Sequence, residues 1–176
     1  LSTRKRLLKL IDAEADTARK GKPARIFLKM NSLVDEEMIT HLYEAGQAGV
    51  KINIIVRGIC ALVPGLSDHI QAISLIDKYL EHSRIFIFEN DGDPLYYFSS
   101  ADWMTRNLDH RIEATCPIYD PKIQRELLDM MQIQWSDNVK ARILNGEQNN
   151  LHRTATGTKR VRAQEAIYAY FKKRSE

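Results

Sequence analysis

The sequence predicts an α/β fold: one domain over residues 1–176, built as a mixed β-sheet flanked by helices, with a helical extension at its C-terminal end. Three observations predict it. Short apolar runs of strand length alternate with longer stretches of helical period. The run Ile52-Asn53-Ile54-Ile55-Val56 is apolar almost throughout, as suits a strand covered on both faces. The stretch between the first two strands is long enough for a right-handed crossover, whereas Asn90-Asp91-Gly92-Asp93-Pro94 is a turn cluster that folds the chain back as a hairpin.

Residues 3–20 carry Leu7, Leu8, Leu10, Ile11 and Ala15 at helical spacing and stop at Gly21-Lys22-Pro23. Residues 26–30 form a short apolar strand. Ser32 or Asp35 then caps a helix whose first turn holds Glu36 and Glu37. Met38, Ile39, Leu42, Tyr43 and Ala45 are its inward face, and Gly49 ends it. The strand over 52–56 runs out into Arg57-Gly58. After a loop with Pro64-Gly65, the spacing of Ile70, Ile73, Ile76, Tyr79 and Leu80 predicts a helix running into His82. Residues 81–89 and 95–98 are the hairpin strands, and 111–118 another strand. Asp120-Pro121 opens a helix with Ile123, Leu127, Leu128 and Met131 inward. Residues 145–159 are polar, lack periodicity and read as a mobile loop. An Ala- and Tyr-rich helix over 161–173 closes the chain. There is no internal repeat.

With 176 residues, 44% of them hydrophobic, the chain can bury a core. No run of about 18 apolar residues exists to span a membrane. The charged, amphipathic opening does not read as a signal peptide, and its Leu1 suggests a piece of something longer. Cys60 and Cys116 lie in or beside apolar strands and are expected to be buried thiols. Neither has a partner at metal-ligand spacing, so no metal site is assigned. The expected location is cytoplasmic, with peripheral membrane association left open. The net charge of +3 permits a polyanionic partner without requiring one.

The chemistry gathers at strand ends, where open α/β sheets bind ligands. Lys29, Asn31 and Ser32 end the first strand, Arg57 ends the second, and Ser99, Ser100 and Asp102 follow the hairpin's second strand. His82 and Arg84 open the hairpin's first strand. If that strand runs antiparallel to the others, all these residues meet at one edge. Arginine forks, a lysine point charge and hydroxyls suit a phosphate chain. Blander readings compete. His82 alone suits a helix end, Arg57 equally a solvated strand end, and Arg106, Asn107, Asp109 and Arg111 a surface ion-pair cluster. Trp103 reads as core or lid packing. The basic run Lys159, Arg160 and Arg162 reads as a solvated face, and His41, His69, His110 and His152 as surface residues.

The spacing His82-x-Arg84-x4-Glu89, followed by Ser99-Ser100-Ala101-Asp102, is similar to the paired elements of the phospholipase D superfamily, His-x-Lys-x4-Asp and Gly-Ser-x-Asn. Longer runs carry a more specific resemblance. Lys29-Met30-Asn31-Ser32-Leu33, Tyr43-Glu44-Ala45, Val56-Arg57-Gly58-Ile59-Cys60, Leu80-Glu81-His82-Ser83-Arg84, Ser99 through Asp109 and Val161-Arg162-Ala163-Gln164 resemble the C-terminal phospholipase D-like domain of the polyphosphate kinase 1 family. The loop over 61–68 looks a few residues shorter than the family's.

That resemblance implies a bacterial, Mg2+-dependent phosphotransferase that reversibly moves the terminal phosphate of ATP onto inorganic polyphosphate. The family's intact chain has an N-terminal domain, a head domain and two phospholipase D-like domains, and its phosphorylated histidine belongs to the first of these two. The present sequence matches the second. Arg57 and His82 match the family's nucleotide-phosphate contacts; Lys29, Asn31, Arg84, Ser100 and Arg106 are further candidates for holding phosphate. His82 would ligate phosphate or act as acid and base. The resemblance puts Mg2+ outside this stretch and implies the preceding catalytic domain as partner, a homo-oligomer, and an isolated piece without turnover. Nucleic acid is not an expected partner. The alternatives are a phospholipase D-type phosphodiesterase or nuclease, disfavoured by Arg84 and Asp102 at the motif's lysine and asparagine, and a non-catalytic polyanion-binding module, disfavoured by the modest charge.

Overall fold

The computed structural model of the chain describes residues 2–154 and 159–175. Helix α1 (Thr3–Arg19) leads into strand β1 (Arg25–Met30), helix α2 (Glu36–Gln47) and strand β2 (Lys51–Val56). Strands β3 (Ile70–Ser74), β4 (Arg84–Phe88), β5 (Leu95–Ser99) and β6 (Thr115–Ile118) follow. Helix α3 (Pro121–Trp135), strand β7 (Arg142–Leu144) and helix α4 (Ala163–Ser175) complete the order.

The strands form one sheet in the order β6-β5-β4-β1-β2-β3-β7. β1, β2 and β3 are mutually parallel, with Leu28 opposite Ile54 and Ile54 opposite Ala72. β4 runs antiparallel to β1, with Lys29 opposite Ile85, and pairs with β5 as the expected hairpin. β6 and β7 close the two edges in antiparallel pairing.

Each sheet face has its own core, which explains the unbroken apolar runs of the central strands. On one face Leu7 and Ile11 of α1 and Met38 and Leu42 of α2 pack with Leu28, Ile52, Ile54, Phe86 and Trp103. On the other, Phe27, Ile55, Ile73, Ile85 and Ile87 pack with Met131 of α3. Trp103 is fully buried, its ring 5.3 Å from that of Phe86, so it belongs to the core. Asp35 caps α2, accepting from the Met38 amide at 3.2 Å. Asp120 caps α3, accepting from the Lys122 amide at 2.7 Å, with Pro121 in the first turn.

Several expectations are corrected. The helix expected to run from Ile70 into His82 is strand β3 followed by irregular chain: Ile76, Tyr79 and Leu80, its supposed inward positions, are exposed. β6 begins at Thr115 rather than 111. The short strand β7 lies where no strand was expected. Ile123 of α3 is exposed. Cys116 is exposed on the edge strand, and Cys60 is half-buried, its thiol pushed up to about 11 by burial. His41 is not unpartnered: its Nδ1 lies 2.6 Å from an oxygen of Asp12. The surface cluster expected of Arg106, Asn107, Asp109 and Arg111 is not formed among the described residues: Asp109 pairs with Arg4 of α1 at 2.7 Å, and Asn107 donates to Glu113 at 2.7 Å. The loop expected over 145–159 includes residues 155–158, which lie outside the described residues; within the rest, His152 bridges to Arg142.

Candidate functional site

The antiparallel course of β4 brings its first residue beside the last residues of β1 and β5. Arg84 lies opposite Ser99, and Met30 opposite Val56, so the ends of β1, β2 and β5 and the start of β4 share one sheet edge. The chain leaves β2 through Arg57 and enters β4 through His82. Arg57 Nη2 comes within 3.3 Å of His82 Nδ1. With Nδ1 accepting, the ring proton sits on Nε2. His82 is exposed and Arg57 half-buried, so both can reach a ligand.

Behind this pair stands a connected polar network. Asn31 Oδ1 accepts from Arg57 Nε at 3.0 Å, which aims the guanidinium at the histidine. Asn31 in turn donates from Nδ2 to Asp102 Oδ1 at 3.2 Å. The Asp102 carboxylate also accepts from the backbone amides of Asn31 at 2.7 Å and Ser32 at 3.1 Å. Arg84 closes on it with a fork, Nη2 to Oδ2 at 2.9 Å and Nε to Oδ1 at 3.3 Å. The remaining arm of Arg84 donates to the His82 carbonyl at 3.1 Å. The network therefore returns to its starting residue. Burial pushes the Asp102 carboxyl up, but Arg84 and the Ser32 and Asn31 amides outweigh it and hold the group below its usual value.

The structure brings Arg57, His82, Asn31 and Arg84 together. Lys29 lies beneath the edge, 3% exposed, its Nζ 3.4 Å from the Ser83 carbonyl and 3.7 Å from the Glu81 carboxylate. Burial lowers its ammonium group's pKa, against the pull of Glu81. Ser100 turns away and donates to Glu113 while accepting from the Ala114 amide at 3.0 Å. Arg106 sits exposed on a single π-helical turn, Arg106–His110, and makes no hydrogen bond or ion pair among the described residues. Asp102 is the member that residue-by-residue reading undervalues. Its one signal is a carboxylate at the position of the motif's asparagine, among cations that need a counter-charge.

Arg57 and His82 are cationic or proton-donating groups suited to phosphate oxygens. A divalent cation does not fit the same donors, because both oxygens of Asp102 are already engaged by Arg84 and Asn31. Among the described residues no group of three or more His, Cys, Asp or Glu side chains is placed to hold a metal ion. No helix among them is long and apolar enough to cross a membrane.

Known proteins share this architecture. The family described as Polyphosphate kinase C-terminal domain 2 matches residues 1–164. The polyphosphate kinase of Vibrio parahaemolyticus is 48% identical over 174 residues, 97% of this chain, and that of Escherichia coli (strain K12) is 47% identical over the same length. The chain spans 25% of the length of these curated relatives. The crystal structure of polyphosphate kinase from Porphyromonas gingivalis superposes with a TM-score of 0.95 at 46% identity, covering 98% of this chain and 27% of that one. Nuc from Salmonella typhimurium, a phospholipase D family member, superposes with a TM-score of 0.60 at 16% identity, covering 81% of this chain and 91% of its own, and shares the fold alone. This chain belongs to the polyphosphate kinase C-terminal domain 2 family.

Proposed function

We propose that the chain supplies the phosphate-holding half of a polyphosphate kinase active site, with Arg57 and His82 gripping the phosphates of ATP or of the polyphosphate end. The intact enzyme would pass the terminal phosphate of ATP, reversibly, to inorganic polyphosphate through a phosphohistidine on the neighbouring domain. The observation that carries this reading is the 3.3 Å approach of Arg57 Nη2 to His82 Nδ1 at an open sheet edge. A chain of phosphates there could meet the two groups through separate oxygens, one at the Arg57 guanidinium and one at the His82 Nε2 proton. The bound nucleotide's negative charge would be offset by Arg57, while the Nε2 proton of His82 is available to a phosphoryl oxygen. Phosphoryl transfer needs mainly such positioning and neutralisation.

The remaining candidates divide by role. Asn31 and Arg84, joined to each other by Asp102, hold the gripping pair directly, Asn31 at Arg57 and Arg84 at the His82 carbonyl, and Lys29 supports the chain beneath His82. Ser100 and Arg106 have no contact with the pair and would reach a ligand only if it extended along the edge. Mg2+ would be held by residues outside this chain, as would the phosphorylated histidine, so the piece alone is expected to bind phosphate weakly and turn over nothing. The arginine at position 84, closed on Asp102, supports this reading over a phospholipase D-type hydrolase, whose motif has lysine there. The enzyme would work in the cytoplasm as a homo-oligomer.

The test is the full-length enzyme with Arg57→Ala, Arg57→Lys or His82→Ala. Both alanine variants should lose polyphosphate synthesis by about a hundred-fold or more, the scale of removing one oxyanion donor. Arg57→Lys should also lose activity, since a point charge cannot replace a fork. Near-normal synthesis in either alanine variant removes that residue from the site.

A further inference from the structure

His82 sits at the end of an irregular stretch. Residues 75–83 follow β3 and belong to no helix or strand, so nothing in the sheet ladder fixes where the imidazole stands. The first turn of α4 and the residue ahead of it do. Arg162 Nη2 and Nε hold both oxygens of Asp77, at 2.7 and 2.8 Å. Two residues on, the Gln164 amide pairs with the Tyr79 backbone as a strand would: Oε1 accepts from the Tyr79 amide at 3.0 Å and Nε2 donates to its carbonyl at 2.8 Å. Gln164 Nε2 also donates to Glu81 Oε1 at 3.1 Å, and Gln134 of α3 to Glu81 Oε2 at 2.5 Å. Three positions ahead of His82, namely 77, 79 and 81, are thus gripped.

The grip is itself anchored. Asp137 is fully buried; one oxygen accepts from the Ala163 amide at 2.6 Å and the other from the amides of Val139, Lys140 and Ala141 at 2.7–2.9 Å. This ties the start of α4 to the end of α3. Lys29 also reaches both neighbours of His82, the Glu81 carboxylate and the Ser83 carbonyl. Arg162, expected from the sequence to face solvent, is instead two-thirds covered and points inward.

We infer that Arg162 and Gln164 are positioning residues for the active site: as a strap from the α4 segment, they hold the 75–83 stretch so that His82 meets Arg57. The inference rests on the proposed role of His82. It extends the functional part of the molecule into a C-terminal segment that touches no ligand-facing group. A displacement of about 1 Å at a reacting group can cost about a hundred-fold in rate, so loosening this stretch should be felt.

The experiment uses the full-length enzyme with Arg162→Ala, Gln164→Ala and Arg162→Lys, each alone and together with His82→Ala, and follows polyphosphate synthesis. Gln164→Ala and Arg162→Ala should each lose about ten-fold or more, and Arg162→Lys, which keeps a charge opposite Asp77, should recover part of that loss. In the His82→Ala background neither alanine change should lower the residual activity further, because the group being positioned is gone. Losses that multiply equally in both backgrounds would mean that the strap only sustains the fold, and overturn the inference. So would normal activity in the single variants, or an Arg162→Lys enzyme no better than Arg162→Ala. An inactive His82→Ala beside a normal Gln164→Ala removes the strap alone. A normal His82→Ala removes the reading of the site, and the strap's purpose with it.

Discussion

Asp102 is the residue on which the arrangement of the edge turns. A carboxylate with 11% of its side chain exposed, it faces an Arg84 exposed to 12%, and each satisfies the other's fork. A buried pair of this kind adds little over an apolar substitute, but removing one partner strands the other's charge. Asp102→Ala should therefore destabilise the protein by about 3–5 kcal/mol in urea unfolding. It should also release Asn31 and, through it, Arg57, so the same variant in the full-length enzyme should bind nucleotide more weakly; unchanged stability would show that Arg84 finds another partner. At this scale the sequence shows which side chains meet at the edge. Arg57, His82, Asn31 and Arg84 are legible because guanidinium, imidazole and amide groups at strand ends need something to meet. Their arrangement is not legible, because which cation stays open to solvent and which closes on Asp102 depends on side-chain direction. Lys29 and Arg84 look like ligand contacts in the sequence and prove to be committed to Glu81 and Asp102.

The elements show where periodicity misleads. Ile70 and Ile73 stand three apart, as on a helix, yet both lie in β3, Ile70 in one core and Ile73 in the other. A strand with apolar residues on both faces, here Ile70 and Ala72 on one and Ile73 on the other, lacks the clean alternation that would reveal its period of two. The exposed Ile76, Tyr79 and Leu80 then extend the false pattern. β7 is missed because three residues give too short a pattern, while β1, β2, β4 and β5 are legible from their runs and turns. The bend after β2 makes a sharper demand. A Cβ at Gly58 would stand 2.8 Å from the Asn31 carbonyl oxygen and 3.4 Å from Ser32 Oγ. The Gly58 amide also donates to that carbonyl at 2.7 Å. Backbone atoms cannot swing aside as a side chain can, so Gly58→Ala should push the bend that carries Arg57 away from β1. A loss of about 1–3 kcal/mol in stability is expected, together with weaker nucleotide binding. Denaturation and a binding titration of the full-length variant measure the two; a variant like the parent in both would mean that the bend shifts without moving Arg57.

At the scale of the molecule, carboxylates joined to arginines across sequence-distant elements set the response to acid. Asp35 ties α2 to Arg4 of α1, Asp77 ties the 75–83 stretch to Arg162, and Asp102 ties β1 to Arg84 of β4. For Asp35 and Asp102 burial alone would raise the carboxyl; for Asp77 the Arg162 contact is the largest influence; all three end below the ordinary value. A carboxyl lowered by folding adds stability above its unfolded value of about 3.9 and loses it as pH falls through the folded value. Unfolding stability should therefore be level near neutral pH and decline below about pH 4, and the gap between parent and Asp102→Ala should shrink over that decline. A gap independent of pH would show that the Asp102 charge is not what holds the edge. Arg57 and His82 are proposed to share one phosphate ligand, and a crystal structure of the full-length enzyme with a non-hydrolysable nucleotide analogue tests this most directly. It should show phosphate oxygens within about 3.2 Å of both the Arg57 guanidinium and the His82 ring. A nucleotide whose phosphates lie against other residues, leaving this pair bonded only to each other, would contradict it.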